Sequence, residues 1–163
     1  MPPLLPNPLS NAMPVKNDLP SAVASALADY RTITSLPVQW GDMDAFGHVN
    51  NVVYIRWFES ARIDLLASWP SEVTMDGKGI GPILASVKCD YKRQLHFPET
   101  VHIGSKAGRM GRSSVDIEHA VFSEQQGRIA ATGTSVMVVF DYAANHPVRI
   151  PENLRRQMDG NSG

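Results

Sequence analysis

The stretch GDMDAFGHVNN, residues 41–51, gathers two aspartates, a histidine and two asparagines directly ahead of an aromatic-rich apolar run. Such residues can ligate a metal, cap a helix, or hold and attack a carbonyl, and their spacing discriminates among the three. Asp42, Asp44 and Gly47 imitate the first half of an EF-hand calcium loop. That template then needs Asp or Asn where Phe46 stands and Glu where Val53 stands, so the calcium reading fails. A transition-metal site from Asp42, Asp44 and His48 lacks an identifying spacing, and no Cys-x-x-Cys or His-Glu-x-x-His completes it. The sequence implies neither a metal nor a cofactor.

Taken singly, Asp, His and Asn before a helix are ordinary turn and capping residues, favoured by the positive end of the helix dipole. Together they offer two complementary tools for acyl chemistry. Unpaired N–H groups at a helix start can hold a carbonyl oxygen as it becomes negative, while a loop carboxylate activates water or attacks the carbon itself. A serine nucleophile is not indicated, because Ser113 and Ser114 lack a Gly-x-Ser-x-Gly context. Cys89, His102 and His119 read as packing or surface residues.

The elements that must position the loop follow from periodicity. Ile33, Leu36, Val38 and Trp40 predict a strand leading into Gly41. In NNVVYIRWFESARIDLLASWP, residues Tyr54, Trp57, Phe58, Ala61, Leu65 and Leu66 recur at helical steps, with Asn50 or Asn51 as cap and Trp69-Pro70 as stop. Val52, Val53, Ile55 and Ile63 add apolar positions outside that stripe, which predicts a central helix buried on more than one side. From Gly81 the texture changes to period two. Turn signals at 96–100, 109–113 and 124–128 separate strands near 83–95, 100–109, 113–123 and 128–141. Short connections predict antiparallel neighbours. The order of strand, long helix and four strands is that of an α+β domain whose curved sheet wraps one helix.

Six of the 12 prolines fall within residues 1–20, which read as a flexible arm, with residues 21–163 forming one domain. Within it SAVASALADY, residues 21–30, predicts a short packing helix capped by Ser21. Fifteen Lys plus Arg against 16 Asp plus Glu give a formal charge of −1, so no chain-wide basic field attracts nucleic acid or an anionic membrane. A small-molecule ligand is the expected partner. With one cysteine, no recognisable secretory signal and no run of some 18 apolar residues, the expected location is the cytoplasm.

The block Asp-x-Asp-x-x-Gly-His-Val-Asn-Asn opens a Tyr-x-x-Trp-Phe-Glu helix and is followed by GPILASVKCDYKRQLHFPETV and GTSVMVVFDY. This pattern, over about residues 31–155, resembles the acyl-CoA thioesterases of the hot-dog superfamily, in the 4-hydroxybenzoyl-CoA thioesterase-like branch. The resemblance implies a hot-dog fold, an acyl-CoA substrate and a homodimer or homotetramer with sites between subunits. It places the catalytic carboxylate at Asp44 and the carbonyl-polarising backbone N–H at or next to Asn51. Asp42 falls at a more variable position and reads as turn or cap. His48 and Asn50 match residues common in the branch, as loop-shaping or water-holding groups. Tyr54 and Glu59 match its helix pattern, Tyr54 as core and Glu59 as polar support.

Residues 88–112 carry six basic side chains against two acids, and Arg93, Arg109 and Arg112 are the expected contacts to coenzyme A phosphates. Trp57, Phe58, Tyr54 and Leu95 are candidates for the acyl pocket. Two rival functions share these features: a non-catalytic acyl-CoA sensor and a hot-dog dehydratase or hydratase.

Overall fold

A run of alternating side chains becomes a strand when one of its faces finds something apolar to cover, and here most of that cover comes from a single helix. The computed structural model describes residues 18–160. Its elements are α1 (Ser21–Ala26), β1 (Thr32–Pro37), a 3-10 turn (Trp40–Asp42), α2 (Asn51–Leu66), β2 (Ile80–Tyr91), β3 (Thr100–Met110), β4 (Ser114–Ser123), β5 (Arg128–Asp141), β6 (His146–Pro147) and α3 (Glu152–Asp159). The expected arm, apart from residues 18–20, lies outside the described residues.

All strand pairs are antiparallel, and the sheet order is β1-β3-β4-β5-β2, with β6 extending from β5. The sheet curls around α2. The side chains of Val53, Trp57, Phe58 and Ala61 pack with Val101, Ile103, Val121, Ala130 and Ala131 of the inner face. Toward the other end of α2, Leu65 and Leu66 meet Val115, Ile117, Met137 and Val139, and α3 closes this end with Leu154 and Met158. Each large side chain so buried contributes roughly 1.5–3 kcal/mol of hydrophobic stabilisation before entropic costs. On the outer face α1 covers Ile33, Ala120 and Phe122 with Val23 and Leu27.

The sequence reading makes β2 and β3 neighbours, and the structure corrects this. Strand β2 pairs with β5 from Ile80↔Asp141 to Tyr91↔Ala131 and forms one edge of the sheet. Residues 92–99 then cross the end of the sheet. Lys92 and Arg93 both donate their backbone N–H to the Ala130 carbonyl, Leu95 plugs the core at 0% exposure, and the Glu99 carbonyl accepts from Val38 N–H before β3 begins beside β1. A fully buried leucine in mid-crossing turns what reads as a tight turn into a tethered crossover.

Two smaller expectations also change. Residue Ser21 is the first residue of α1, and Pro20 precedes it as N-cap without a side-chain hydrogen bond. Of the apolar positions outside the main stripe of α2, Val53 is buried, but Val52 is 63% and Ile63 49% exposed in the single chain.

Candidate active site

The loop between the 3-10 turn and α2 is a small hairpin. An isolated bridge joins Met43 to Val49, Asp44 N–H donates to the His48 carbonyl at 3.0 Å, and Gly47 N–H donates back to the Asp44 carbonyl at 3.1 Å. The tip needs a left-handed residue, and Gly47 supplies it at φ 85°. Beneath the loop, Asp42 is buried. It accepts from Gln39 N–H at 2.8 Å, pairs with the Arg56 guanidinium of α2, and its backbone carbonyl accepts from Asn50 N–H at 2.9 Å. Asp42 therefore holds the 3-10 turn, the hairpin and the helix start in one register. The opposite side of the hairpin is pinned by Val49 N–H donating to the Leu95 carbonyl at 2.8 Å.

This scaffold presents Asp44. Its Oδ1 accepts from Phe46 N–H at 2.8 Å, which fixes the rotamer, while Oδ2 has no partner among the described residues. A carboxylate held by one oxygen and free at the other is suited to act as a base or nucleophile.

Facing it is the start of α2, where the first amides are unequally occupied. Val52 N–H donates to the Asn50 cap oxygen at 3.0 Å, and Val53 N–H to the Asn50 carbonyl at 3.0 Å. Asn51 N–H has no acceptor among the described residues. It is thus the donor left open at the electropositive end of a 16-residue helix. The Tyr91 hydroxyl, from the end of edge strand β2, donates to the Asn51 carbonyl at 2.9 Å and ties the sheet edge to this turn.

Asp44, His48, Asn51 and Tyr54 line one cleft of about 410 Å3, together with Phe46, Val49, Tyr91, Lys92, Arg93 and Gln94. Asn50 stands beside it as the helix cap. The His48 ring lies parallel to Phe46 with centroids 6.5 Å apart, and its Nδ1 is 3.5 Å from the Val49 carbonyl, at the outer limit of a hydrogen bond. Tyr54 is 2% exposed; burial raises its pKa well above the ordinary phenol value, so it remains a donor. Burial likewise raises Tyr91 and the thiol of Cys89, which keeps that cysteine from serving as a thiolate.

Several expected residues are not brought to the cleft by a single chain. Arg109 lies near the far end of β3, nine residues beyond Thr100, about 30 Å along the strand, and Arg112 is in the turn beyond it. Neither lines the cleft, and of the three arginines expected to contact phosphates only Arg93 does. Glu59 is exposed on α2 outside the cleft lining, where its charge acts on buried Arg62. Trp57, Phe58 and Leu95 belong to the core at 0–3% exposure, leaving Tyr54 as the acyl-pocket candidate that does line the cleft. The sequence reading missed Phe46, Tyr91 and Gln94. Tyr91 carries a legible signal, as the last aromatic of an alternating strand next to Lys92-Arg93.

A larger cavity, about 820 Å3, lies at the opposite end of α2 between Tyr30, Trp69, Lys106 and Glu118. There the helix presents its C-terminal, electronegative end, which repels a developing oxyanion. Among the described residues, no group of three or more His, Cys, Asp or Glu side chains could hold a metal ion.

A curled antiparallel sheet around one central helix, with a carboxylate loop facing the start of that helix, defines a hot-dog protein. The chain belongs to the thioesterase-like superfamily, whose family profile matches residues 38–158. It is similar to the PA5185 protein of Pseudomonas aeruginosa PAO1, at 32% identity and a TM-score of 0.71 over 84% of this chain and 95% of that one. A thioesterase from Thermus thermophilus, solved with coenzyme A and Zn, is 28% identical with a TM-score of 0.69, covering 83% and 96% of the two chains. The long-chain acyl-CoA thioesterase FadM of Escherichia coli K12 is 22% identical over 77% of this chain and 96% of its own.

Proposed function

We propose that this protein hydrolyses acyl-CoA thioesters to the free acid and coenzyme A at the Asp44 cleft. One observation carries the reading: the free Oδ2 of Asp44 and the open N–H of Asn51 border the same cleft, and these are the two groups that thioester hydrolysis requires. The carbonyl oxygen binds at Asn51 N–H, where the helix dipole stabilises negative charge. Asp44 then either removes a proton from attacking water or attacks the carbon to give a mixed anhydride that water cleaves; both routes release the thiol of coenzyme A. Lys92 and Arg93 at the cleft rim supply positive charge for its phosphates. Likeness to FadM and to the Thermus protein supports acyl-CoA as the substrate class.

The reading includes a homo-oligomer. Edge strand β2 leaves Ile83, Leu84 and Tyr91 38–48% exposed, and α2 leaves Val52 and Ile63 bare. A second copy lying along this edge would cover them and remove an open strand edge. With a single cysteine and hence no intrachain disulfide, the chain suits the reducing cytoplasm.

Thiol release measured over a panel of acyl-CoAs tests the activity, with Asp44→Asn as the control. The substitution should lower kcat by roughly 100-fold or more while acyl-CoA still binds. Wild-type turnover in Asp44→Asn would refute the assignment of the carboxylate. Saturable binding by the wild type with no thiol released would instead identify a sensor.

A further inference from the structure

Tyr54 combines three properties that a core tyrosine does not normally combine. It is 2% exposed, and its ring is held between Trp57, at 5.0 Å and 56°, and Tyr91, at 5.0 Å and 89°. It also lines the Asp44 cleft. Its hydroxyl has no hydrogen-bond partner among the described residues, yet is not among the polar atoms fully shut off from solvent. Buried tyrosine hydroxyls usually find a partner, because leaving one unpaired is unfavourable. Tyr54 thus keeps a rigid, protonated donor open to the cleft. It sits one helical turn beyond Asn51, whose N–H is the proposed carbonyl site.

The space behind Tyr54 is closed. Phe58, the next residue along that face of α2, is 0% exposed and packs so tightly on β5 that a Cβ at Gly133 would lie 2.4 Å from its ring. At this point the Phe58 ring fills the space between helix and sheet. An acyl group entering the cleft is therefore stopped by Phe58 in this direction and lies beside Tyr54.

We propose that Tyr54 selects the acyl group, favouring compact acyl chains that carry a hydroxyl or carbonyl substituent over plain alkyl or aryl ones. The inference rests on hydrolysis taking place at the Asp44 cleft. A polar substituent supplies the missing partner for the hydroxyl, whereas an unsubstituted acyl group displaces water from it and leaves it unpaired. Sites built to bond a substrate hydroxyl discriminate far more strongly than sites that merely fit a methylene.

The test is thiol release from matched pairs, 3-hydroxybutyryl-CoA with butyryl-CoA and 4-hydroxybenzoyl-CoA with benzoyl-CoA, with palmitoyl-CoA as a long-chain reference. Wild type and Tyr54→Phe, which keeps the ring and its packing, are compared. In the wild type kcat/KM should favour the polar member of at least one pair by roughly tenfold or more. Tyr54→Phe should lose that ratio by slowing the polar member alone. Equal rates within both pairs, a preference that survives in Tyr54→Phe, or palmitoyl-CoA as the best substrate would each overturn the inference and leave thioester hydrolysis standing. Absence of thiol release from all five compounds would remove both.

Discussion

His119 sits where a charge cannot be accommodated. It is 1% exposed, its ring is stacked on Phe58 at 4.6 Å, and its nitrogens meet the hydroxyls of Ser105 at 2.8 Å and Ser135 at 3.0 Å. Ser135 in turn accepts from the buried guanidinium of Arg62 at 2.9 Å. Burial, with the nearby Arg62 charge adding to it, lowers the histidine pKa from 6.5 to about 3. Between those values the unfolded chain binds a proton that the folded chain refuses. The contribution to stability is therefore fully present above pH 6.5 and is lost as pH falls toward 3. Each pH unit in that window is worth about 1.4 kcal/mol, so moving from pH 7 to pH 4.5 should remove about 2.5 kcal/mol through this residue alone. Urea unfolding of wild type and His119→Gln across that range isolates the effect, because acidic groups common to both cancel. The wild-type stability should fall by about 2.5 kcal/mol more than that of the variant. Parallel curves would show that His119 is protonated as readily in the folded core as in the open chain, and would refute the argument.

Other expectations concern the scaffold of the cleft. Asp42→Ala leaves Gln39 N–H and Arg56 without their acceptor and should lower stability by about 1–3 kcal/mol, read from the urea midpoint; an unchanged midpoint would contradict the anchoring role. Tyr91→Phe deletes the bond to the Asn51 carbonyl and should reduce kcat by roughly fivefold with little change in KM, as a loss of about 1 kcal/mol at the helix start requires. In Gly133→Ala, the new methyl group would meet the Phe58 ring at 2.4 Å and the Lys88 carbonyl at 2.6 Å, which should cost about 1–3 kcal/mol in a thermal or urea melt.

Much of the fold is legible because its hydrophobic periods are long and unbroken. The helix expected to be capped by Asn50 or Asn51 spans Asn51–Leu66 with Asn50 as its cap, and the strands near 100–109, 113–123 and 128–141 each lie within a residue of those observed. What escapes is information that periodicity does not carry. The alternation of residues 83–91 looks the same whether the strand is central or at an edge, and only its pairing with β5 shows it to be an edge. Helix α3 escapes because ENLRRQMD offers just two apolar residues, Leu154 and Met158, one turn apart and both buried. At the site, the loop and helix cap are readable from residue types in sequence order. Arg109 and Arg112 look equivalent to Arg93 as charges, but strand length carries them to the far end of the sheet. The Arg62–Ser135–His119–Ser105 chain joins α2, β5, β4 and β3, and no local pattern announces it.

The phenol bridge from Tyr91 to Asn51 couples two things that a sequence keeps 40 residues apart, an unprotected sheet margin and the amide-bearing turn of the helix. Fraying of that margin by mild denaturant would reach the turn at Asn51 before it reached the core. Tyr91 fluorescence should then respond at a lower urea concentration than the core aromatic signal while the bulk of the fold persists, making the margin the first fuse in the molecule.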